Sequence, residues 1–271
     1  MYSNSPIALG FTAQIYAWKD GQVLKLFNQG ISRGNVETEA ELTRIAGVAG
    51  LPVPAVGDIV EVEGRYGLEY ERIDGISILE ALAKQPWMFA MFAHQLAGLQ
   101  ADMHKVQVPE MPSQHKRLQA KINRARLLSQ NLRQAALKAL DQLPHDDKLC
   151  HGDFHPGNIL LAGRGPVIID WLDASKGHPL MDIASSTLLF GGGPISPGTP
   201  GAPMIRLLRQ WFYRSYLRRY GEFCPFDRKQ LSKWIPVAAA ARLDENITRD
   251  ENRLLSIAQT LLRFGYCDVV Q

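Results

Sequence analysis

CHGDFHPGNILLAGRGPVIIDWLD, residues 150–173, sets two short apolar runs, NILL and VIID, on either side of the Gly-rich turn AGRG. That pattern predicts a β-hairpin. Asp153 and Asn158 stand five apart with Pro156 and Gly157 between them, so no regular strand or helix carries both, and a bent loop must. If the two runs pair, Asn158 at the start of one strand lies beside Asp170 at the end of the other, and their oxygens can share one hard cation. Magnesium fits such a pair: it prefers oxygen ligands, takes one or two protein carboxylates and fills its remaining shell with water and substrate phosphate. Asp153 is then a carboxylate left to accept the proton of an incoming hydroxyl. Phosphoryl transfer needs these parts, because its catalysis is largely positioning and electrostatic stabilisation.

The run H-G-D-F-H-P-G-N closely resembles the catalytic loop of the aminoglycoside phosphotransferase and choline kinase-like family, a branch of the protein-kinase-like fold, and IIDW resembles that family's metal-binding segment. The protein-kinase loop H-R-D-x-x-x-x-N has the same Asp-to-Asn spacing. The resemblance implies Asp153 as catalytic base, Asn158 and Asp170 as magnesium ligands and His151 as a loop-ordering residue. Asp182, in GHPLMDIA, falls where the family has a structural Asp. It implies ATP and Mg2+ as well. His155 is read as packing and orienting the loop, and Trp171 as filling core. A transition-metal site from His151, Asp153 and His155 would need a strand that Pro156 and Gly157 interrupt.

A kinase site also needs a strand lysine at the phosphates and a helix glutamate to hold it. In VLKLF, Lys25 shares a strand face with Val23 and Phe27, an odd place for an ammonium without a buried partner. Glu37, Glu39 and Glu41 compete for that role. Glu39 shares a helix face with Leu42, Thr43 and Ala46 and stands in an E-A context similar to the family's, so Glu39 is the expected partner. ALGFTAQIYA has only Gly10 where a protein kinase has G-x-G-x-x-G, so the phosphate cover rests on backbone amides around Gly10 to Ala13 and the Thr12 hydroxyl. LEYERIDG resembles the family's hinge and implies adenine contacts through the backbone of Glu71 and Ile73.

Around these residues the chain changes character once. Up to about residue 73 the pattern is mainly period two: TAQIYAWKDGQVLKLF turns at Asp20-Gly21 with a type I′ signature, and VGDIVEVEGRYGLEYER turns at Glu63-Gly64. Between the two hairpins, NVETEAELTRIAGVA (35–49) is helical in composition and is stopped by Pro52 and Pro54. After Gly75 come long helical patterns, at Ile78 to Leu82, Trp87 to Val106, Leu118 to Leu143, Leu180 to Phe190, Met204 to Tyr220, Arg228 to Arg242 and Arg249 to Phe264. The expectation is an α+β, two-lobed protein-kinase-like fold. A small antiparallel sheet with one helix forms a nucleotide-binding lobe over 1–74, and a mainly helical catalytic and substrate-binding lobe follows over 75–271, with a cleft near 73–77. Gly191 to Pro203, GGGPISPGTPGAP, reads as a flexible connector.

Composition narrows the setting. The chain has 271 residues, 46% of them hydrophobic, enough to bury a sizeable core, and a formal net charge of +3 that points to neither nucleic acid nor an anionic membrane. Cys150, Cys224 and Cys267 have no C-x-x-C spacing and suggest no disulfide framework, which fits a cytoplasmic protein. No apolar run approaches the ~20 residues that span a bilayer. The basic stretch Lys116 to Arg133 lacks interleaved aromatics and reads as a solvated face.

Only eleven residues separate Asp170 from Asp182, and no A-P-E follows. That leaves little room for a peptide platform, so a small hydroxyl-bearing acceptor is expected rather than a protein, with a non-catalytic nucleotide-binding module as the alternative. AARLDEN (240–246) and RDEN (249–252) offer Arg242, Asp244, Glu245, Asp250 and Glu251, and of these Arg242 and Glu245 are named as substrate candidates. Carboxylates there would suit a cationic amino-sugar or amino-alcohol, while exposed ion pairs of little worth are the plainer reading. A sugar or another metabolite fits as well.

Overall fold

Short runs of alternating apolar residues, separated by residues that tolerate tight turns, fold the start of the chain into a five-stranded sheet. In the computed structural model the described residues are 5–10, 12–192, 198–246, 248 and 250–263. Strands β1 (Ala8–Leu9), β2 (Ala13–Ala17), β3 (Gln22–Phe27), β4 (Val56–Val62) and β5 (Arg65–Glu71) pair antiparallel in the order β1-β2-β3-β5-β4. The one helix between them, α1 (Arg33–Val48), starts at Ser32, whose side chain accepts from the Asn35 N–H, a standard N-cap.

The two hairpins turn differently. Glu63 and Gly64 both have positive φ, 53° and 72°, as a type I′ turn requires. At the first hairpin Gly21 has φ 67° but Asp20 is not among the positive-φ residues, so the expected type I′ turn at Asp20-Gly21 is not formed. Instead a four-residue link, Trp18 to Gly21, is closed by the Trp18 N–H on Gln22 O and the Gln22 N–H on Lys19 O.

The period-two pattern divides β3 between two apolar clusters. Phe27 packs with Ala13, Val36, Ala40, Leu68 and Tyr70 on the side of α1, and Leu24 and Leu26 pack with Tyr16 on the other. Strand β6 (Gly75–Ser77) follows, and it pairs with the hairpin of β8 (Ile159–Ala162) and β9 (Gly165–Ile168). Here a glycine is required by space: a Cβ on Gly75 would stand 2.3 Å from Leu161 O.

The remaining elements are helical apart from one short strand pair. They are α2 (Ile78–Lys84), α3 (Phe89–Met103), α4 (Gln114–Arg124), α5 (Gln130–Asp141), β7 (Lys148–Cys150) paired with β10 (Ser175–Gly177), α6 (Pro179–Gly192), α7 (Ala202–Phe223), α8 (Arg228–Arg242), α9 (Glu251–Ala258) and α10 (Thr260–Arg263). Helix α3 packs on α7, and α6 on α8. The chain divides into two units, Met1–Ala81 with Pro156–Asp173, and Leu82–His155 with Ala174–Gln271. Among the described residues no helix is long and apolar enough to cross a membrane.

Two expectations about the helices need correction. The pattern from Leu118 to Leu143 is two helices, not one. Ser129 caps α5 by accepting from the Leu132 N–H, and the Arg133 guanidinium turns back to the carbonyls of Ile122, Asn123, Ala125 and Leu128, satisfying the frayed end of α4. The Gly191–Pro203 connector is also shorter than its composition suggested. Helix α6 runs through Gly192 and α7 begins at Ala202 with Pro203 in its first turn, where a missing N–H costs nothing. Residues 193–197 of the connector lie outside the described residues, as do Cys267 and the ends, Arg249 and Phe264, of the last expected helix.

Candidate active site

In the first unit the chemistry gathers around Lys25. Its strand is central, paired with β2 at Ile15 and with β5 at Leu68, and alternation turns its side chain to the face that α1 covers. The ammonium donates to Glu39 Oε1 at 2.6 Å and to Asp170 Oδ1 at 2.9 Å, and it lies 5.3 Å from the Phe27 ring centroid. Burial works against the charge of Lys25, but Glu39 and Asp170 outweigh it and hold its pKa above the usual lysine value. Glu39 is 1% exposed, while Glu41 is exposed and Glu37 pairs with Arg33 at the surface. Burial, only partly offset by Lys25, raises the Glu39 pKa. Tyr70 donates its hydroxyl to Glu39 Oε1 at 2.9 Å, and the Thr43 hydroxyl sits 3.4 Å from the Tyr70 hydroxyl.

The hairpin brings Asn158 and Asp170 together through its register. Ile159 pairs with Ile168, and the Ile169 N–H donates to Asn158 O at 3.0 Å, so the two residues flank the open end of the β8–β9 ladder. Asp170 has φ 67°, a left-handed conformation that is uncommon outside glycine but several-fold enriched in Asp. An outlier of that kind at a candidate ligand is where backbone strain tends to collect. Among the described residues no group of three or more His, Cys, Asp and Glu side chains forms a metal cage. One carboxylate and one amide oxygen are the partial, oxygen-only set that magnesium uses when phosphate and water complete its shell.

The nucleotide-contact expectations are placed less simply. Gly10 directly follows β1 with its N–H already donated to Ala13 O at 2.9 Å, and Thr12 O accepts from the Asn28 N–H at 2.8 Å. The Glu71 N–H is likewise given to Ala55 O at 2.9 Å, and the Glu71 carboxylate takes a fork from Arg164 at 2.6 and 3.0 Å. Any adenine contact of Glu71 therefore falls to its carbonyl. Ile73 lies in the irregular link after β5, partly exposed.

The second unit holds Asp153. Its Oδ1 lies 3.4 Å from Arg242 Nη1, its Oδ2 lies 3.5 Å from His155 Nε2, and its N–H is 3.3 Å from His151 Nδ1. Burial disfavours the charge, but His155, then Arg242 and His151, overcome it and hold the carboxyl well below the usual carboxylate range. Arg242 ends α8 and gives its other terminal nitrogen to Glu245 Oε2 at 2.7 Å.

The loop that carries Asp153 is tied down from behind. Gly152 adopts φ 83° and donates its N–H to Asp182 Oδ1 at 2.6 Å, and Ser186 Oγ donates to Phe154 O at 2.8 Å. Asp182 Oδ2 meets Gln100 Nε2 at 2.9 Å and His104 Nε2 at 3.1 Å. Behind these, the Tyr220 hydroxyl sits 2.7 Å from His104 Nδ1, and Tyr216 donates to Gln100 Oε1. Burial opposes the Asp182 charge, but His104, Gln100 and His151 lower its pKa nonetheless.

Gln100, His104, Tyr70 and Arg164 were not singled out from the sequence. A signal existed for two of them: Gln100 and His104 stand four apart on the largely apolar α3 and are both buried. Polar groups at helical spacing on an inward face need a partner.

A family model described as "Phosphotransferase enzyme family" matches residues 3–223. No curated protein matches the chain in sequence. Among solved structures, a thermostable mutant of aminoglycoside phosphotransferase APH(4)-Ia, in ternary complex with AMP-PNP and hygromycin B, is similar at TM-score 0.66 and 16% identity, over 98% of this chain and 95% of that one. Amicoumacin kinase hAmiN, in complex with AMP-PNP, Ca2+ and Ami, is similar at TM-score 0.60 and 15% identity, over 95% and 87% of the two chains. A choline/ethanolamine kinase family protein from Mesorhizobium loti is similar at TM-score 0.58 and 16% identity, over 96% and 85%. These likenesses show a protein-kinase-like α+β fold.

Proposed function

Because the chain belongs to the phosphotransferase enzyme family, we propose that it is an ATP- and magnesium-dependent kinase that moves the γ-phosphate to a hydroxyl of a small molecule. The observation that carries this reading is the three-residue cluster in the first unit, Lys25 between Glu39 and Asp170 at 2.6 and 2.9 Å. Phosphoryl transfer in this fold requires a lysine held by a helix glutamate together with a metal-binding Asp. The solved relatives held with AMP-PNP support a nucleotide donor.

Each residue then has a task. Lys25, kept charged by its two carboxylates, binds donor phosphate, and Glu39 keeps it from turning away. Asn158 and Asp170 would hold the magnesium ion. That ion supplies charge neutralisation on the phosphate oxygens. Asp153 orients the acceptor hydroxyl and takes its proton. A carboxyl held below the usual range is a weak base, which suits a loose transition state in which proton removal comes late and orientation matters most. His151 and Asp182 fix the loop that presents it.

Asp170→Ala tests the reading. It should abolish magnesium-dependent binding of a non-hydrolysable ATP analogue, measured by calorimetry with and without chelator; unchanged magnesium dependence would remove Asp170 from the metal site.

A further inference from the structure

The segment following α8 carries four carboxylates, Asp244, Glu245, Asp250 and Glu251. Read as a list, they would suit a ligand bearing several ammonium groups. Their partners point elsewhere. Asp244 receives Arg124 through Nε at 3.2 Å and Nη2 at 2.7 Å, and Asp250 receives a fork from Arg253 at 2.6 and 2.6 Å. Glu245 is held by Arg242 at 2.7 Å. The Arg242–Glu245 and Arg253–Asp250 pairs are partly buried, with the Arg242 and Asp250 side chains 12% and 16% exposed, while Asp244, 17% exposed, is held by an Arg124 that lies at the surface. Only Glu251 forms no ion pair among the described residues.

Arg242 is decisive because it spans this segment and the candidate base, with one nitrogen on Glu245 and the other 3.4 Å from Asp153. A hydroxyl brought to Asp153 comes up beside a guanidinium. An ammonium on the same molecule would have to displace a preformed Arg–carboxylate pair, and a partly buried arginine cannot shed its proton to make way. A neutral polyol meets no such conflict, and a single cationic group can use Glu251.

We infer that the acceptor is a neutral or singly charged hydroxyl compound, and that Arg242 is the specificity-determining residue that rejects polycationic amino-sugars. This rests on the reading of Asp153 as the base. The test is calorimetric binding of kanamycin, as a polycationic probe, to the full chain saturated with magnesium and AMP-PNP at low salt, where electrostatic discrimination is least screened. Wild type should bind it only at millimolar concentration. Arg242→Gln should bind it about tenfold or more tightly, a change of about 1.4 kcal/mol, and Arg242→Lys should restore rejection. Arg124→Gln, which releases Asp244 instead, should also raise kanamycin affinity and serves if the Arg242 variant fails to fold. Micromolar binding by wild type, or no gain in whichever of the two Gln variants still binds AMP-PNP, overturns the inference. Transfer of label from [γ-32P]ATP to a panel of sugars, polyols and amino-alcohols is scored separately. Failure of all transfer overturns the kinase reading itself, while transfer to kanamycin in preference to the panel overturns only the charge rule.

Discussion

Lys25 and Glu39, fourteen positions apart in the chain, meet across 2.6 Å in the interior of the first unit. Neither residue is solvated enough to hold a charge alone, so each is the reason the other can stay ionised. Removing Glu39 leaves the buried ammonium with Asp170, 40% exposed, as its remaining carboxylate. Glu39→Ala should therefore lower the unfolding free energy in urea by about 3–5 kcal/mol and weaken nucleotide binding as well. Full stability in that variant would mean Lys25 finds water or Asp170 a sufficient substitute.

Tyr70→Phe isolates a smaller contribution. The hydroxyl donates to a buried carboxylate at 2.9 Å, and hydrogen bonds to charged groups contribute about 1.5–3 kcal/mol. The expected loss lies in that range, with the ATP KM raised because Glu39 is freer to rotate. Kinetics and urea titration of the same preparation check both halves.

Asp182 gives the second unit a pH signature. Its folded pKa is lowered, while the unfolded carboxyl titrates near ~3.9. The stabilisation is therefore complete above about pH 3.9 and fades as pH falls from there toward the folded value, because the unfolded chain takes up the proton first. Asp182→Asn should flatten the acid limb of the melting temperature against pH. It should also reduce kcat more than the ATP KM, since the Gly152 N–H loses a charged acceptor. An acid limb identical to wild type would show that Asp182 is not the group responsible.

A second signature lies at mildly acid pH. His115 is buried, stacks on the exposed His145 ring with centroids 3.6 Å apart, and meets the Trp234 edge. Burial first, then His145, lowers its pKa, although the backbone at Leu143 and Leu140 and the charge of Asp141 act the other way. A histidine with a depressed folded pKa stabilises above its unfolded value of about 6.5 and loses that stabilisation as pH falls through the folded value. Wild type should lose melting temperature as pH falls below about 6.5, and His145→Ala should reduce the slope. An unchanged slope would mean that His145 does not act on His115.

Local chemistry explains what could be read in advance. The β8–β9 hairpin announces itself through Gly and flanking apolar runs, and Glu39 is distinguished from Glu37 and Glu41 by its helix face together with its family-like E-A context; in the structure Glu39 meets Lys25 while Glu37 pairs with Arg33. Long-range reach was not legible. Arg133 splits one helical pattern in two by holding carbonyls up to eleven residues back, and Arg124 finds Asp244 from 120 residues away. The hairpin Ile159–Ile168 belongs to the first unit because β6, some eighty residues earlier, pairs with it, and sequence order does not show that. The Asp20-Gly21 turn type also went astray, because the dipeptide favours a two-residue loop while the register here sets Ala17 opposite Val23, one residue away from what such a loop needs.

The Asp153 carboxyl should leave no acid limb of its own in the pH profile of kcat/KM above about pH 3.9, since it is held below that value by His155, Arg242 and His151 against its burial. Arg242→Gln should move that limb upward, toward the measurable range. A profile that is identical in the two enzymes would separate Arg242 from the base.

The most direct measurement compares wild type with Asp153→Asn in two assays, magnesium–AMP-PNP affinity by calorimetry and γ-phosphate transfer to a hydroxyl acceptor. Nucleotide affinity should agree within about twofold, because the ion pairs that hold Lys25 come from Glu39 and Asp170, while turnover should fall by at least about 100-fold, the scale of a lost acid–base group. Equal turnover in the two proteins, or a wild-type chain that binds no magnesium nucleotide, would contradict the account.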